Sequence, residues 1–268
     1  AGLDAMHKEG GWVFLQNIHL TANWLPALEK HLEELWVGPH PEFRVFVSAE
    51  PNPNPAICVI PLGIMQNAIK VTGEPPTGTK ANMRNAMSNF SEVKMEMCQT
   101  KNSEFRMLIF AMCFNHNLLL GRGKFGAIGF SRLYPFNTGD LTISVDVILN
   151  YLENNTKIPF EDLRYLVGQI MYGGHITDDW DRIVTNCYLD NLLCDQYFEG
   201  GELCPGYPIP PASHYDILRQ YIEEQTPEES PSVFGLHANA EIGFLTNQSN
   251  DLMSTCLEFA PMTGGGGG

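Results

Sequence analysis

Positive charge is scarce in this chain: 16 Lys and Arg stand against 31 Asp and Glu, a net charge of -15. That balance argues against nucleic acid or an anionic membrane as partner, since both demand a basic surface. Long apolar runs are missing as well, and none approaches the roughly 20 residues of a membrane span. Ala1-Gly2-Leu3-Asp4 has no basic segment followed by an apolar one, so no secretory signal is expected. The seven cysteines, at 58, 98, 113, 187, 194, 204 and 256, are odd in number and scattered. Reduced, buried thiols in a cytosolic protein fit that pattern better than a disulfide framework.

What is present is an ordinary globular composition, 44% hydrophobic with 10% aromatics over 268 residues, enough for one domain or two small ones. Acids gather between Asp190 and Glu229, where nine stand against the single base Arg219. A solvated face accounts for them, with a docking surface for a basic partner as the rival reading.

Residues 1–76 alternate strand-like and helix-like segments. Trp12-Val13-Phe14-Leu15 reads as a buried strand that ends in two amides, Gln16-Asn17. A helix from about Ala22 follows, with Trp24, Leu25, Leu28, Leu32 and Leu35 at helical spacing, stopped by Gly38-Pro39. Phe43 to Val47 forms a second strand, closed by the proline-broken segment 51–55. A short helix at Leu62 to Asn67 leads to a third strand, Ala68 to Thr72. This order predicts part of a parallel sheet covered by helices, an α/β region.

Beyond Pro76 the pattern turns helical, and residues 77–225 read as a small all-helical bundle. Phe105, Leu108, Ile109, Met112, Cys113 and His116 make one stripe; Leu141, Val145, Ile148, Leu149 and Leu152 make another, with Asp140 as its N-cap. Pro159 suits a first helical position ahead of Leu163, Leu166, Val167 and Ile170. Thr177 is expected to cap a helix whose inner face is Trp180, Ile183, Val184, Cys187, Asn191 and Cys194. From Glu228 the chain reads as linker, with one last helix at Asn250 to Phe259. The run Gly264 to Gly268 has no side chains to pack and reads as a tag or linker. Trp12, Trp24, Phe43 and Trp180 are the expected core residues.

Five ordered strings carry a family resemblance: residues 12–20 (WVFLQNIHL), 43–51 (FRVFVSAEP), 69–78 (IKVTGEPPTG), 172–182 (YGGHITDDWDR) and 234–242 (FGLHANAEI). They closely resemble the dynein heavy chain, at the sixth AAA+ module of its motor ring and the start of the C-terminal segment. Residues 136–144 and 241–246 look most like axonemal, outer-arm beta-type chains. The resemblance implies that residues 1–76 are the second half of an AAA+ large domain and 77–225 its helical lid. Residues 226–263 would then be a linker and the start of the C-terminal segment. It also implies a minus-end-directed microtubule motor of cilia or flagella, in the cytoplasm and cytoskeleton. Its partners would be neighbouring modules of the same chain, the microtubule, and intermediate and light chains.

The whole chain would hydrolyse Mg-ATP in other modules, while several catalytic parts are absent from this one. An ATP-hydrolysing AAA+ module carries two acids where Gln16-Asn17 stand, because Mg²⁺ and the attacking water both need carboxylates. Amides coordinate a metal weakly and take no proton near neutral pH. Ser48-Ala49-Glu50 replaces the water-orienting asparagine after the second strand. No arginine lies between Pro51 and Lys70 to act as a finger, and Lys70 is a point charge on a strand and a poor substitute. Gln16, Asn17, Ser48 and Glu50 are thus degenerate positions, and neither a catalytic residue nor a cofactor or metal site is expected here. A residual nucleotide site shared with an upstream loop stays open as an alternative.

Other constellations have plainer explanations. Gly121-Arg122-Gly123-Lys124-Phe125-Gly126 follows a helix rather than a strand, so a helix end with a turn is expected instead of a dinucleotide loop. Asp178, Asp179 and Asp181 beside His175 diverge by about 100° per helical residue and favour the helix dipole. His19 and His116 read as satisfied core histidines. Cys194, Cys204 and His214 match no zinc spacing, and the sequons at Asn89, Asn154 and Asn247 carry no weight in a cytosolic chain.

Overall fold

The computed structural model describes residues 2–50, 59–73 and 76–259. The prolines at 51–55, Cys58 and the glycine run at 264–268 lie outside them. The chain divides into two compact units, 1–74 and 75–268.

The first unit is a fragment of a parallel sheet with helices. Helix α1 (Gly2–Glu9) leads into strand β1 (Trp12–Leu15), a 3₁₀ stretch (Ile18–Trp24), helix α2 (Leu25–Leu35), strand β2 (Arg44–Val47) and helix α3 (Leu62–Asn67). β1 and β2 pair in parallel, with Trp12 opposite Arg44 and Leu15 opposite Val47. A small core forms where Ile18, Leu25 and Leu28 are buried and Leu15, Leu32 and Ile64 pack against them.

Two expectations fail in this unit. Side chains alternate across a strand, and β1 half-buries Val13 and Leu15 while it exposes Trp12 and Phe14. Trp12 is 70% exposed and Trp24 46%, so neither is a core residue; Phe43 is half-buried, edge-on to the His7 ring. A two-stranded sheet has too few neighbours to cover both of its faces. The third strand also does not form: residues 69–73 are irregular, and Ile69 is 95% exposed. A strand needs a hydrogen-bonded neighbour, and among the described residues this segment has none.

The second unit is built around one helix. Helices α4 (Thr79–Ser88) and α5 (Glu92–Met95) precede the long helix α6 (Asn102–Arg122), which runs into a 3₁₀ turn (Gly123–Ile128). Helices α7 (Thr138–Asn154) and α8 (Phe160–Tyr165) follow, and a π turn (Leu166–Met171) extends α8. Then come α9 (Asp179–Leu192), α10 (Gln196–Glu199), a hairpin of β3 (Glu202–Cys204) with β4 (Tyr207–Pro208), α11 (Tyr215–Gln225), a 3₁₀ turn (Pro231–Phe234) and α12 (Ala240–Phe259).

Helix α6 is surrounded rather than one-sided: Phe105, Leu108, Phe110, Met112, Phe114 and Leu118 are all buried, on every side of the helix. A stripe therefore understates it, because a central helix packs around its whole circumference. Helices α4, α7 and α9 contact it. Gly168 in the π turn permits close approach of α9, since a Cβ there would fall 2.8 Å from Leu189 Cδ1. Residues 231–240 are not a linker: Val233, Phe234 and Ala240 join the same core.

Local capping differs from expectation by one to three residues. Asn137 caps α7 and Asp140 sits at the third helical position, each side chain bonding the other's backbone in a capping box. Asp178, not Thr177, caps α9 by accepting from the N–H groups of Trp180 and Asp181. The larger correction is the face of α9. Asp181, Thr185, Leu189 and Leu192 point inward, while Trp180 is 76% exposed and Ile183, Cys187 and Asn191 are exposed. Asp181 accounts for this orientation: its carboxylate accepts from Ser131 N–H at 3.0 Å and Tyr134 O–H at 2.7 Å. Those bonds satisfy a carboxylate that would otherwise be buried unpaired.

Candidate functional site

Parallel pairing sets the carboxyl ends of β1 and β2 side by side, and that edge holds Gln16, Asn17 and Ser48. Ser48 N–H donates to the Leu15 carbonyl at 2.9 Å, and Ile18 N–H donates to the Ser48 carbonyl at 3.0 Å. Asn17 N–H donates to Ser48 Oγ at 3.0 Å. Gln16, Asn17 and Ser48 thus meet at one edge, although 31 residues separate the last two. Asn17 has φ 53 and ψ 45 and is the one non-glycine residue with positive φ among those described. Asparagine tolerates this left-handed region better than most residues.

Glu50 stands apart from that trio. Its backbone N–H donates to His19 Nδ1 at 3.1 Å, and its exposed carboxylate lies 3.9 Å from His19 Nε2. His19 is half-buried and satisfied, yet it belongs to this edge rather than to a core. No spacing in the sequence signals that contact, because the two residues meet only through the pairing of β1 with β2.

The donors at the edge are two side-chain amides and one hydroxyl already engaged by Asn17 N–H. Magnesium favours carboxylate and phosphate oxygens in strict octahedral geometry, and a hydrolytic water needs a base. The one carboxylate of the group, Glu50, sits beside an imidazole. This set does not fit a magnesium ion with its attacking water.

Apolar surface surrounds the same sheet. Trp12 and Phe14 both lie against the Phe46 ring, at 5.3 and 6.4 Å between centroids, and all three are exposed. A separate cleft of about 530 Å³ is lined by Leu32, Trp36, Phe43, Val45, Val47 and Ile64.

The other constellations resolve into structure. Arg122 is buried and donates to the carbonyls of Gly129 and Phe234 and to Tyr188 Oη. Gly121 lies against Phe234, whose ring would meet a Cβ at 2.4 Å. Lys124 pairs with Glu229 at 2.7 Å, so this glycine-rich turn clasps the chain near Phe234. His175 Nε2 lies 3.0 Å from Asp140 Oδ1, while Asp178 and Asp181 serve the cap and the buried network already described. His116 Nδ1 meets the Tyr172 hydroxyl at 3.0 Å. Burial pulls the His116 pKa down to about 4, against a smaller upward pull from Asp140. Among the described residues the cysteines are free; Cys98, Cys113 and Cys204 are buried, whereas Cys187 and Cys256 are exposed.

Part of the acidic segment is engaged with its own fold. Glu223 receives two bonds from Arg84, Glu229 pairs with Lys124, and Asp190 lies 3.3 Å from Arg164 Nε. Arg84 holds the Glu223 carboxyl below the usual carboxylate range.

Two family profiles match the chain. The one described as the dynein heavy chain region D6 P-loop domain covers residues 1–72, and the dynein heavy chain AAA lid domain covers residues 105–240. Dynein axonemal heavy chain 9 of Homo sapiens is 53% identical over 262 residues, 97% of this chain and 6% of its own length. The ciliary dynein beta chain of Tripneustes gratilla is 52% identical over 264 residues, 98% of this chain and 6% of its own. The flagellar outer-arm beta chain of Chlamydomonas reinhardtii is 45% identical over 278 residues, 99% of this chain and 6% of its own. The chain therefore spans about 6% of the length of these relatives. With one profile on the sheet unit, another on the helices around α6, and half of all residues shared with axonemal relatives, this chain belongs to the dynein heavy chain family.

Proposed function

We propose that this chain is part of a minus-end-directed microtubule motor of cilia or flagella, in which it forms a catalytically silent AAA+ ring module. The module relays movement driven by Mg-ATP hydrolysis elsewhere in the same heavy chain. Its partners in that reading are the neighbouring AAA+ modules, with the microtubule and the intermediate and light chains reached through the whole motor. The observation that carries silence is the edge of the β1–β2 pair: amides at Gln16 and Asn17, with the Ser48 hydroxyl used to tie the two strand ends together. Amides take no proton from a water near neutral pH, and the one carboxylate of the group, Glu50, stands apart beside His19. The helical unit suits a relay because its core closes around α6 and lets it move as one body.

Nucleotide binding without hydrolysis is a second reading, favoured by the description of the profile on residues 1–72 as a P-loop domain. Those residues contain no GxxxxGK[ST] string, so a phosphate loop would have to come from upstream. The deciding experiment titrates the intact motor with Mg-ATP and reads occupancy beside Gln16. The silent reading expects no bound Mg-ATP and unchanged ATPase for Gln16→Ala and Asn17→Gly. Bound nucleotide without turnover would favour the second reading, and ATPase lost in either variant would refute both.

A further inference from the structure

Two carboxylates and an imidazole converge on the surface of the helical unit, from elements remote in sequence. Ser91 caps the short helix α5 by accepting from Lys94 N–H, and Met95 is buried. That anchorage sets Glu92 and Glu96, four residues apart, on one outward side. His214 stands at the start of α11, where its carbonyl accepts from the N–H of the buried Leu218. One ligand atom from each of Glu92, Glu96 and His214 lies within 4.8 Å of the other two, and all three residues are exposed. His214 Nδ1 is 3.7 Å from Glu96 Oε1, too far for a hydrogen bond. Among the described residues the Glu92 carboxylate has no polar partner. Exposed carboxylates repel and have room to swing apart, whereas these two close on one ring nitrogen.

We propose that Glu92, Glu96 and His214 bind a divalent transition metal, with zinc as the fitting ion. One imidazole nitrogen and two carboxylate oxygens make a three-ligand set that zinc completes with water. Magnesium and calcium favour oxygen ligands and more of them, which this set does not supply. Ligand atoms around a tetrahedral zinc are about 3.3 Å apart, so small rotations of exposed side chains close the site. Arg106 donates to Glu96 Oε1 at 3.3 Å, which offsets part of the negative charge and leaves the second carboxylate oxygen for the metal. The ion staples α5 to the start of α11, a helix that packs on α4. No spacing along the chain shows this site, because α5 and α11 meet only in the fold. It lies in the helical unit and stands or falls apart from the silent reading, which concerns the β1–β2 edge of the other unit.

The test uses the intact heavy chain, with zinc chloride as the probe and hydrogen exchange read by mass spectrometry on peptides covering 91–97 and 212–218. Micromolar zinc is expected to slow exchange about tenfold in both peptides of wild type. His214→Ala and Glu92→Gln should show no such response. Both replaced side chains are exposed, so exchange along α6 should match wild type and report an intact core. In an independent arm, equilibrium dialysis against micromolar zinc should load one more ion per heavy chain in wild type than in either variant. Unchanged exchange in wild type, an equal response in the variants, equal zinc content, or the same effect from magnesium would each overturn the proposal. A response confined to millimolar zinc would mean an adventitious ion only and would overturn it as well.

Discussion

The hydroxyl of Ser48 accepts the backbone N–H of Asn17 at 3.0 Å, tying the turn after β1 to the end of β2. Asn17 holds φ 53 at that junction. A β-branched side chain is strained in the left-handed region, so Asn17→Val should destabilise the sheet unit by about 1–2 kcal/mol, while Asn17→Gly should be near neutral. Ser48→Ala should cost about 1 kcal/mol, for one lost bond. Hydrogen exchange at Asn17 and Ile18 reads both effects, and equal exchange for the Val and Gly variants would refute the assignment.

Trp180 and Phe114 should answer truncation in opposite ways. Phe114 is fully buried on α6, so Phe114→Ala should cost about 3–5 kcal/mol through the cavity it leaves. Trp180→Ala should stay within about 0.5 kcal/mol for the helical unit itself, because the side chain is mostly in water. Exchange protection across α6 compares the two, and comparable losses would return Trp180 to the core.

His116 gives the helical unit an acid sensitivity. Its pKa falls from 6.5 to about 4 on folding, so the unfolded chain binds a proton between those values that the folded chain does not. Stability is therefore full above about pH 6.5 and declines as pH falls toward 4, by up to about 3 kcal/mol. Protection of α6 amides should drop over that window, and His116→Gln should flatten the response. A profile that is already flat in wild type would mean that the imidazole titrates normally.

Arg122 sits between the Phe130 and Tyr188 rings while it donates to three oxygens. Lysine has the charge without the planar fork, so Arg122→Lys should lose about 2 kcal/mol and loosen the 231–235 turn, because the Gly129 carbonyl loses its buried donor and the Phe234 carbonyl keeps only Tyr188 O–H. Proteolysis within 226–240 reports it, and wild-type resistance in the variant would mean that Phe234 packing and the Tyr188 bond suffice to hold the turn.

The legible parts were those whose signals are local. β1 and β2, the helical stripes at 105–116 and 141–152, and the amide pair after β1 followed from short apolar runs, helical spacing and residue chemistry. Asn137 and Asp178 were harder because several adjacent residues could cap, and the choice depends on which side chain the approaching backbone leaves free. The contact of His19 with Glu50 left no trace in the spacing, since it exists only once two strands pair. Trp12, Trp24 and Trp180 were misplaced for a common reason: hydrophobicity says that a side chain seeks cover, and says nothing of whether this stretch of chain supplies it.

By itself the sequence determined which family this chain joins, that a sheet fragment precedes a helical unit, and that the end of β1 bears amides, because these reside in residue type and local period. Only the tertiary structure decided that α6 is enclosed on all sides, that Ser48 closes on Asn17, and that α9 turns Asp181 inward and Trp180 to water. The physical reason is competition for partners: a buried carboxylate must find its donors, and that requirement outweighs the burial of one aromatic ring.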